Sequence, residues 1–303
     1  MVYSSIAKSY FDEFPFRRRD KRKPSSGYFF LSHAHSDHTV GLKSMSSDPD
    51  PILVCSRETA AVIQFLHKIP KEKILEINSN QSLDFDDFIV HALDANHCVG
   101  SLMYVIESKN GSKEVFTGDF RFHNKMKEEF DLIQGAETLW VDFTYGKDPI
   151  FNFPTREEMI SDIVTFILSS EKFPENSVWV AAYQIGKENL LKTLSKVFGV
   201  KLWAPDSKLR IYKEIGGEWD IFTSNETSKF HVESRRFVED LHGVEDKKKM
   251  IMLNALRISP TGWALKLRDK RLDVHFFPYS DHCSFSEVHE FIKLVNPKKI
   301  IKI

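Results

Sequence analysis

The sequence predicts an α/β protein, and two recurring patterns predict it. Short apolar runs of the kind that form buried strands end on polar residues, as YFFL at 28–31 does before a histidine-rich segment. Other segments, such as residues 57–67, repeat apolar residues at helical spacing. Strands that alternate with helices and carry polar side chains at their ends are typical of a sheet with a functional site along one edge.

The first half of the chain contains most of the predicted strands. Short apolar runs lie at residues 88–93, 101–106, 114–117 and 138–141, and each borders a polar motif. Residues 57–67 form the predicted helix that precedes them.

The second half alternates helices and strands. Thr155 and Glu158 form a Thr-x-x-Glu capping box that starts a predicted helix at about 155–170. A buried strand is predicted at 177–183, followed by a glycine loop and the helix ENLLKTLSKVF, whose start is a candidate anion site. Residues 224–250 are polar and are expected on the surface. The remaining predicted elements are strands at 250–256 and 273–277, the helix SFSEVHEFIKLV and the terminal strand KKIIKI.

Composition and charge set only weak limits on function. The net charge is −1, from 42 basic and 43 acidic residues, so the basic excess common in nucleic-acid binders is absent. A local basic path would suffice, and RRRDKRK at 17–23 is a solvated loop, a phosphate-contacting patch or a nuclear import signal. Three cysteines give no disulfide framework and fit a reducing compartment. No apolar run resembles a signal peptide or a membrane span, so no membrane association is expected.

The strongest local signal is HAHSDH at residues 33–38, which follows the apolar run YFFL at 28–31. Four side chains of metal-binding type, three histidines and one aspartate, lie within six positions. On a loop, His33 and His35 can face one ion while Asp37 and His38 face a neighbouring one. Imidazole and carboxylate ligands suit zinc and related divalent ions. The segment therefore predicts a metal site at the end of this strand.

Three further polar motifs follow later strands. DANH ends at His97, TGDFR contains Asp119, and PYSDH ends at His282. Each of these residues on its own is more often a turn, core or surface residue than a ligand. Their order and their positions at strand ends, together with HAHSDH, favour one shared site.

The combined motifs resemble the Artemis/Apollo family of DNA cross-link repair nucleases, in the β-CASP branch of the metallo-β-lactamase fold. FFLSHAHSDHTVGL, LDANHCVGS, TGDFR, LWVDFTY, FPTREE, YQIGKE, SPTGW and PYSDHCSFSE occur in family order over residues 12–303. HxHxDH is shared by a whole superfamily, whereas the combination of TGDFR, SPTGW and PYSDH is much more specific. FFLSHAHSDHTVGL is most similar to the Apollo version of the family.

The resemblance implies an α/β architecture: an αββα metallo-β-lactamase sandwich with an inserted β-CASP α/β lobe. Residues 1–150 would form the first part of the metallo-β-lactamase domain. Residues 151–275 would form the β-CASP domain, and residues 276–303 would return to the first domain.

The resemblance also implies a metal centre of two divalent ions. Seven residues would hold them: His33, His35 and His97 the first, Asp37, His38 and His282 the second, and Asp119 both. Zinc is the first choice, with magnesium or manganese as the alternative at the second site. Two such ions lower the pKa of a water toward neutrality and polarise a phosphoryl oxygen. The residues expected to act in catalysis are Asp37, His38, Asp119, Asp142 and His282.

Two of these assignments stay open at this point. Asp142 would orient a ligand or take part in acid–base chemistry, and both Asp142 and His282 are candidates to protonate the leaving oxygen. Asp12 matches the family's early aspartate that supports the histidine loop. Asp20 is its rival for that position.

A phosphate pocket is implied at two loops of the second lobe. Its expected members are Tyr183, Gly186 and Lys187 of YQIGKE, and Ser259, Thr261 and Gly262 of SPTGW. In the family these segments help to form a site for a 5′-phosphate end. As alternatives, Lys187 could be an exposed helix lysine, Tyr183 a core residue, and the SPTGW segment a simple turn.

The chain departs from the family pattern at several positions. Val99 stands where the family usually has proline after His-Cys, and Gln184 replaces an expected serine, which puts the details of the phosphate pocket in doubt. The family position that separates DNA enzymes (aliphatic) from RNA enzymes (His) aligns at or just beyond Ile303. No histidine follows His289, so nothing supports the RNA version.

These observations predict a metal-dependent DNA nuclease, namely a 5′-phosphate-dependent 5′-to-3′ exonuclease in DNA repair or end processing. Alternatives are a structure-specific DNA endonuclease like Artemis, an RNA-processing β-CASP nuclease, a small-molecule hydrolase such as a thioesterase, and a non-catalytic binding module. The insertion at 151–275 argues against a compact thioesterase. The expected partner is single-stranded or end-containing DNA, bound by a monomer in the nucleus if the source is eukaryotic and otherwise in the cytoplasm.

Overall fold

The computed structural model describes residues 2–14, 27–45, 50–217, 219–241, 245–267 and 273–303. The basic run at 17–23 and Asp20 lie outside these residues. None of the helices described in these ranges is long and apolar enough to cross a membrane.

The described elements follow one another along the chain as short strands and helices. The strands are β1 Tyr3–Ser4, β2 Ser9–Tyr10, β3 Tyr28–Phe30, β4 Ile52–Cys55, β5 Ile74–Glu76, β6 Gln81–Asp84, β7 Phe88–Asp94, β8 Leu102–Ser108, β9 Lys113–Phe116, β10 Thr138–Val141, β11 Val178–Ala181, β12 Leu202–Trp203, β13 Phe222–Thr223, β14 Phe230–Glu233, β15 Leu256–Pro260, β16 Val274–Phe277 and β17 Lys299–Lys302. The α-helices are α1 Leu42–Met45, α2 Arg57–His67, α3 Phe130–Ile133, α4 Arg156–Ser169, α5 Glu188–Phe198, α6 Asp206–Ile215, α7 Arg235–Asp240, α8 Asp246–Asn254 and α9 Phe285–Val295. Short 3-10 helices occur at Lys71–Lys73, Asn124–Glu129, Pro149–Phe151 and Gly262–Leu265.

The chain forms two compact units. Unit 1 comprises Met1–Asp148 and His282–Ile303, and unit 2 comprises Pro149–Asp281. The sequence-based boundary at 275/276 falls inside β16. In the structure β16 pairs with β15 in the sheet of unit 2, so the chain leaves that unit only after β16.

Unit 1 contains two sheets with different strand directions. The larger sheet has the order β17-β10-β9-β8-β7-β6, with parallel pairs at β17-β10-β9 and antiparallel pairs from β9 to β6. The smaller sheet has the order β3-β4-β5 and is parallel. The strands β1 and β2 form a separate antiparallel pair.

The central strands of the larger sheet of unit 1 are buried on both faces. Along β8, Leu102 and Tyr104 pack into a core shared with Phe30 of the smaller sheet. The alternate residues, Met103 and Val105, pack into a second core that includes residues of α3 and α9. Because strand side chains alternate between faces, this pattern puts a sheet on one side and helices on the other. With α2 against β5, the layers are helix, sheet, sheet and helix, as the sequence predicts.

Unit 2 is built on one parallel sheet of order β13-β12-β14-β11-β15-β16. Its buried core includes Trp179 of β11, Trp203 of β12 and Val238 of α7. In a parallel sheet the carboxyl ends of neighbouring strands meet at one edge, which is where α/β proteins usually bind ligands. The loops after β11, β15 and β16 therefore share this edge.

Most predicted elements are confirmed, and two predictions are wrong. The helices α2 and α5 have the predicted bounds, and α4 begins at Arg156 after its N-cap Thr155, with both halves of the capping box formed. Residues 250–256 are expected to be a strand, but most of them belong to α8, and β15 begins only at Leu256. The apolar run MIMLNAL does not distinguish the two, because only tertiary contacts decide which of its side chains are buried. The segment 224–250 is expected on the surface, yet it contains the buried strand β14.

Candidate functional site

The predicted ligands of unit 1 lie on loops at strand ends. HAHSDH follows β3, and His97 lies in the turn between β7 and β8. Asp119 and Asp142 follow the parallel strands β9 and β10, so they leave the sheet at the same edge. His282 lies shortly before the start of α9.

One group of possible ligand atoms comes from His33, His35, His97 and Asp119, all within 4.8 Å of one another. Nδ1 of His35 lies 2.9 Å from Nε2 of His33 and 3.1 Å from Nε2 of His97. Oδ2 of Asp119 lies 3.6 Å from Nε2 of His33 and 3.7 Å from Nε2 of His97. Four atoms bound tetrahedrally at about 2.0–2.1 Å from zinc are roughly 3.3 Å apart. The spacing of this group therefore fits one tetrahedral divalent ion.

A second group places Asp12 behind the histidine loop. Oδ2 of Asp12 lies 2.6 Å from Nδ1 of His38 and also accepts a 2.6 Å hydrogen bond from Ser32 Oγ. Oδ1 of Asp12 accepts a 2.7 Å bond from the Ser32 amide. The carboxylate leaves Nε2 of His38 facing Asp119, whose Oδ2 is 3.3 Å away. A carboxylate on the far ring nitrogen is the usual device that fixes the orientation of a ligating histidine.

A third group repeats this arrangement at the end of unit 1. Nδ1 of His282 lies 2.7 Å from Oδ2 of Asp142, and Nε2 of His282 lies 3.9 Å from Oδ2 of Asp119. The other oxygen of Asp142 accepts hydrogen bonds from the amide and hydroxyl of Thr144, at 3.0 and 2.6 Å. Asp142 is buried. It therefore acts on His282 and does not reach out to solvent.

Asp37 lies apart from these three groups. Its side chain is 77% exposed, and its Oδ2 is 3.8 Å from Nε2 of His38. Asp37 is thus next to His38. The contacts that the structure describes include none between Asp37 and Asp119.

Burial and the neighbouring charges shift the pKa values of the clustered groups. Burial, helped by His35, lowers the pKa of His33 well below its usual range, so His33 is held neutral as a metal ligand must be. Burial opposes the charge of Asp119, but the surrounding histidines, His282 foremost, keep its pKa well below the usual range. Burial also opposes protonation of His38, but Asp12 outweighs it and the pKa of His38 rises to about 11. A divalent ion would compete with this proton for the ring nitrogen of His38.

Two glycines allow the loops to approach this closely. Gly118 has φ +55°, and a Cβ at this position would lie 2.6 Å from Cβ of Ser32. Gly100 has φ +77°, and its Cβ would lie 2.7 Å from Ser56 Oγ. Only glycine takes up a positive φ while leaving space for the neighbouring chain.

The candidate phosphate-binding residues of unit 2 lie near the carboxyl ends of β11 and β15. Lys187 is buried at the start of α5, with its Nζ 5.1 Å from the ring centre of Tyr279 and 5.9 Å from that of Tyr183. Burial lowers the pKa of Lys187, although Asp281 acts to raise it.

The other phosphate-binding candidates differ in their exposure to solvent. Tyr183 is exposed, and Thr261 is partly exposed, with its hydroxyl accepting a 3.4 Å bond from the Trp263 amide. The amide of Gly186 already donates to Glu188 at 2.6 Å. Ser259 is buried and donates to Glu239, and Gly262 is buried. The hydroxyl of Ser259 is thus used inside the protein.

Comparison with known families separates the chain into two matched regions. Residues 8–162 match the beta-lactamase superfamily domain, and this region covers more than half of the chain. The chain belongs to the β-lactamase superfamily. Residues 220–302 match the DNA repair metallo-beta-lactamase family. The resemblance noted in the sequence and the predicted fold class are therefore confirmed.

Similar curated proteins include DNA repair proteins of animals and plants. The mouse protein named 5′ exonuclease Apollo is 32% identical, over 93% of this chain and 52% of its own length. The Arabidopsis thaliana protein named DNA cross-link repair protein SNM1 is 28% identical, over 90% of this chain and 60% of its own length. The Arabidopsis thaliana protein named DNA ligase 6 is 30% identical, but the match spans only 21% of it. The chain thus spans less than two thirds of each of these relatives.

A solved structure shares the fold. It is a protein of unknown function from Enterococcus faecalis V583, with a TM-score of 0.61 and 15% identity, covering 91% of this chain and 75% of that one. At this identity the likeness shows the fold alone. Membership of the metallo-β-lactamase fold implies binding of divalent metal, and the histidine and carboxylate groups of unit 1 provide candidate ligands.

Sequence reasoning missed three supporting residues. Ser32 links Asp12 to His33, since its Oγ lies 2.9 Å from Nδ1 of His33. Thr144 forms a local turn with Asp142, two positions before it. The spacing of an aspartate and a threonine two positions apart could have suggested this turn. Lys208 is buried, and its Nζ donates to the carbonyls of Tyr183 and Gln184 at 2.7 and 3.0 Å. Nothing local in the sequence points to Lys208, because its partners lie on another loop.

Proposed function

We propose that this chain is a metal-dependent DNA nuclease that removes nucleotides from a 5′-phosphorylated end in the 5′-to-3′ direction. One observation carries the metal-dependent part. Oδ2 of Asp119 lies 3.3 to 3.9 Å from Nε2 of four histidines, His33, His38, His97 and His282. A carboxylate oxygen surrounded by ring nitrogens in this way is suited to bridge two cations.

The proposed metals are zinc at both positions, with magnesium or manganese as the alternative at the second. His33, His35, His97 and Asp119 would hold the first ion. Asp37, His38, Asp119 and His282 would hold the second. Bound there, two divalent ions supply a water of lowered pKa and offset negative charge on the phosphoryl oxygens.

The protein's own groups orient this chemistry. Asp12 and Asp142 each lie against Nδ1 of one histidine, His38 and His282, which leaves both Nε2 atoms directed at Asp119. The proton for the leaving oxygen would come from His282 or from Asp142. These two groups are 2.7 Å apart, so a proton can be shared between them.

Preference for a 5′-phosphate is supported by Lys187. Lys187 is buried at the start of α5 beside the rings of Tyr279 and Tyr183, and its ammonium group would bind the phosphate as a cation. Thr261, with its partly exposed hydroxyl, lies on the loop that follows the neighbouring strand. Ser259 would act indirectly, by holding Glu239.

The names of the similar proteins favour DNA over RNA and an exonuclease over other nucleases. Three vertebrate relatives at 32% identity are named 5′ exonuclease Apollo. On this basis we propose DNA repair or end processing as the role, the nucleus as the location if the source is eukaryotic, and a monomer as the acting form. A structure-specific endonuclease is the second candidate.

A nuclease assay tests the proposal. Single-stranded DNA labelled at its 3′ end, with either a 5′-phosphate or a 5′-hydroxyl, is incubated with the zinc-loaded protein beside a matching RNA. A ladder of shortened products only from phosphorylated DNA is expected. The ladder should disappear in His38→Ala and remain in His67→Gln, a control at a partly exposed histidine at the end of α2.

Other outcomes would overturn parts of the proposal. Cleavage that ignores the 5′ end or occurs only in hairpins would replace the exonuclease with an endonuclease. Cleavage of RNA alone would contradict the choice of DNA. A protein that binds two equivalents of metal but cuts neither polymer would contradict the nuclease assignment.

A further inference from the structure

Two loops of unit 2 are held side by side by the pairing of their strands. β11 and β15 are parallel neighbours, with Val180 opposite Ile258. Three residues further along each strand come Tyr183 and Thr261, so the two loops leave the sheet at the same level. Trp263 follows Thr261 on the second loop. The loops that carry Lys187 and Trp263 therefore share one edge of the sheet.

These loops carry unusually exposed aromatic side chains. Within the described part of unit 2, Tyr183 and Trp263 are the most exposed aromatic residues, at 58% and 42%. Trp179 and Trp203 of the same unit are buried. A lone exposed aromatic residue needs no explanation. Two such residues on adjacent loops, one of them Tyr183 with Nζ of Lys187 5.9 Å from its ring centre, suit a ligand that is both flat and anionic.

Trp263 is held in place although it is exposed. Its ring packs edge-to-face on Phe151, with centroids 5.1 Å apart. Its amide donates to Thr261 Oγ1, and its carbonyl accepts a 2.9 Å bond from the Lys266 amide. Nζ of Lys266 lies 4.6 Å from the ring centre of Phe151. An indole that is fixed in this way is ready to stack on a base without first losing freedom of its own.

We propose that Trp263 is a stacking platform for a nucleobase near the 5′ end of single-stranded DNA. This inference rests on the proposed function and deepens it. Lys187 and Thr261 would receive phosphate, while Trp263 would receive a base. Because every base has a π-face, the site would favour unpaired strands without reading their sequence.

The test measures binding to two probes of 5′-phosphorylated single-stranded DNA with cleavage-resistant phosphorothioate links. One probe carries normal bases, and the other has abasic residues at its first three positions. The zinc-loaded chain is compared with Trp263→Ala, with Trp263→Phe, which keeps an aromatic ring, and with Leu265→Ala, a similarly exposed residue of the same 3-10 helix.

The expected result is specific to the base. Trp263→Ala should weaken binding of the normal probe roughly 5- to 100-fold and leave the abasic probe unchanged. Trp263→Phe should fall between the wild type and the alanine variant, and Leu265→Ala should match the wild type. Should Trp263→Ala fail to fold, the comparison of Trp263→Phe with the wild type on the two probes decides the question.

Two outcomes would contradict the inference, and they are distinguishable. Equal affinity of wild type and variants on both probes, or an equal loss on both, would remove Trp263 as a platform while leaving a 5′-phosphate-dependent nuclease intact. A wild-type chain that neither binds nor cuts phosphorylated DNA would overturn the proposed function and the inference together.

Discussion

Nδ1 of His282 lies 2.7 Å from Oδ2 of Asp142, although 140 residues separate the two in sequence. Thr144 occupies the other oxygen of Asp142 through its amide and hydroxyl. The carboxylate is thereby fixed, and it fixes in turn the direction in which His282 presents Nε2. The whole of unit 2 is inserted between these two residues.

The contact between Asp142 and His282 predicts a role in metal affinity. Asp142→Asn keeps the shape of the side chain but removes the charge that orients the histidine. We expect metal affinity to fall about 10- to 100-fold, measured by competition with a chromogenic chelator. Asp86→Asn, at an exposed carboxylate of unit 1 away from the candidate ligands, serves as the control. Equal chelator curves for Asp142→Asn and the wild type would contradict this role.

Asp12, Ser32 and His38 are expected to act as one network. Asp12→Asn replaces the carboxylate that contacts both Ser32 and His38, and Ser32→Ala removes the hydroxyl that donates to that carboxylate. Because the two residues bond to each other, their effects on unfolding free energy should not add, with a coupling of about 0.5–3 kcal/mol. Urea unfolding of both single variants, the double variant and the wild type measures this coupling. Strict additivity would show that the bonds act independently.

Gly118 is expected to tolerate no side chain. Gly118→Ala combines the cost of a positive φ, about 1–2 kcal/mol, with a 2.6 Å approach to Cβ of Ser32. Gly135→Ala is the matched control, since Gly135 has φ +71° and no atom lies within 4 Å of the position that its Cβ would take. We expect the Gly118 variant to lose about 1–3 kcal/mol more than the control in chemical unfolding. Similar losses would mean that Ser32 can move aside.

Lys208 is predicted to position the candidate phosphate loop. Burial lowers its pKa to about 8, and its Nζ donates to the carbonyls of Tyr183 and Gln184. Lys208→Met should reduce the preference for 5′-phosphorylated over 5′-hydroxyl DNA while the metal content stays unchanged. Lys213→Met, at an exposed position of the same helix, should alter neither. An unchanged preference in Lys208→Met would show that the loop keeps its shape without this lysine.

His231 is predicted to make stability depend on mildly acidic pH. It stacks on Trp179 at 4.1 Å, and in the described residues its buried Nδ1 has no hydrogen-bond partner. Burial lowers the pKa of His231 to about 4. The unfolded chain binds this proton near pH 6.5 and the folded chain only near pH 4, so stability falls as the pH drops through this window.

Replacement of His231 by phenylalanine tests this pH dependence, since the ring can still stack on Trp179. The wild type should lose stability relative to His231→Phe between about pH 6.5 and 4, by on the order of 1–3 kcal/mol. Unfolding free energies of both proteins, measured at several pH values across this range, give the difference directly. Parallel curves would show that His231 titrates as it does in the unfolded chain.

Local patterns in the sequence were sufficient for most elements and for the candidate metal-binding side chains. The capping box at Thr155 and Glu158 forms as predicted, because capping depends only on residues three positions apart. HAHSDH can be recognised from the sequence because its candidate ligands lie close together on one loop. The prediction of a strand at 250–256 is wrong because the apolar run fits a helix and a strand equally well. Only its burial by the rest of the fold distinguishes the two.

The sequence by itself determined which side chains are available for metal chemistry and in what order they occur. Only the tertiary structure decided which of them meet: that Asp12 faces His38, that Asp142 faces His282, and that Ser259 is turned toward Glu239. The physical reason is that these contacts join residues far apart in the chain. Their distances are set by strand pairing and core packing, and no local spacing rule encodes either.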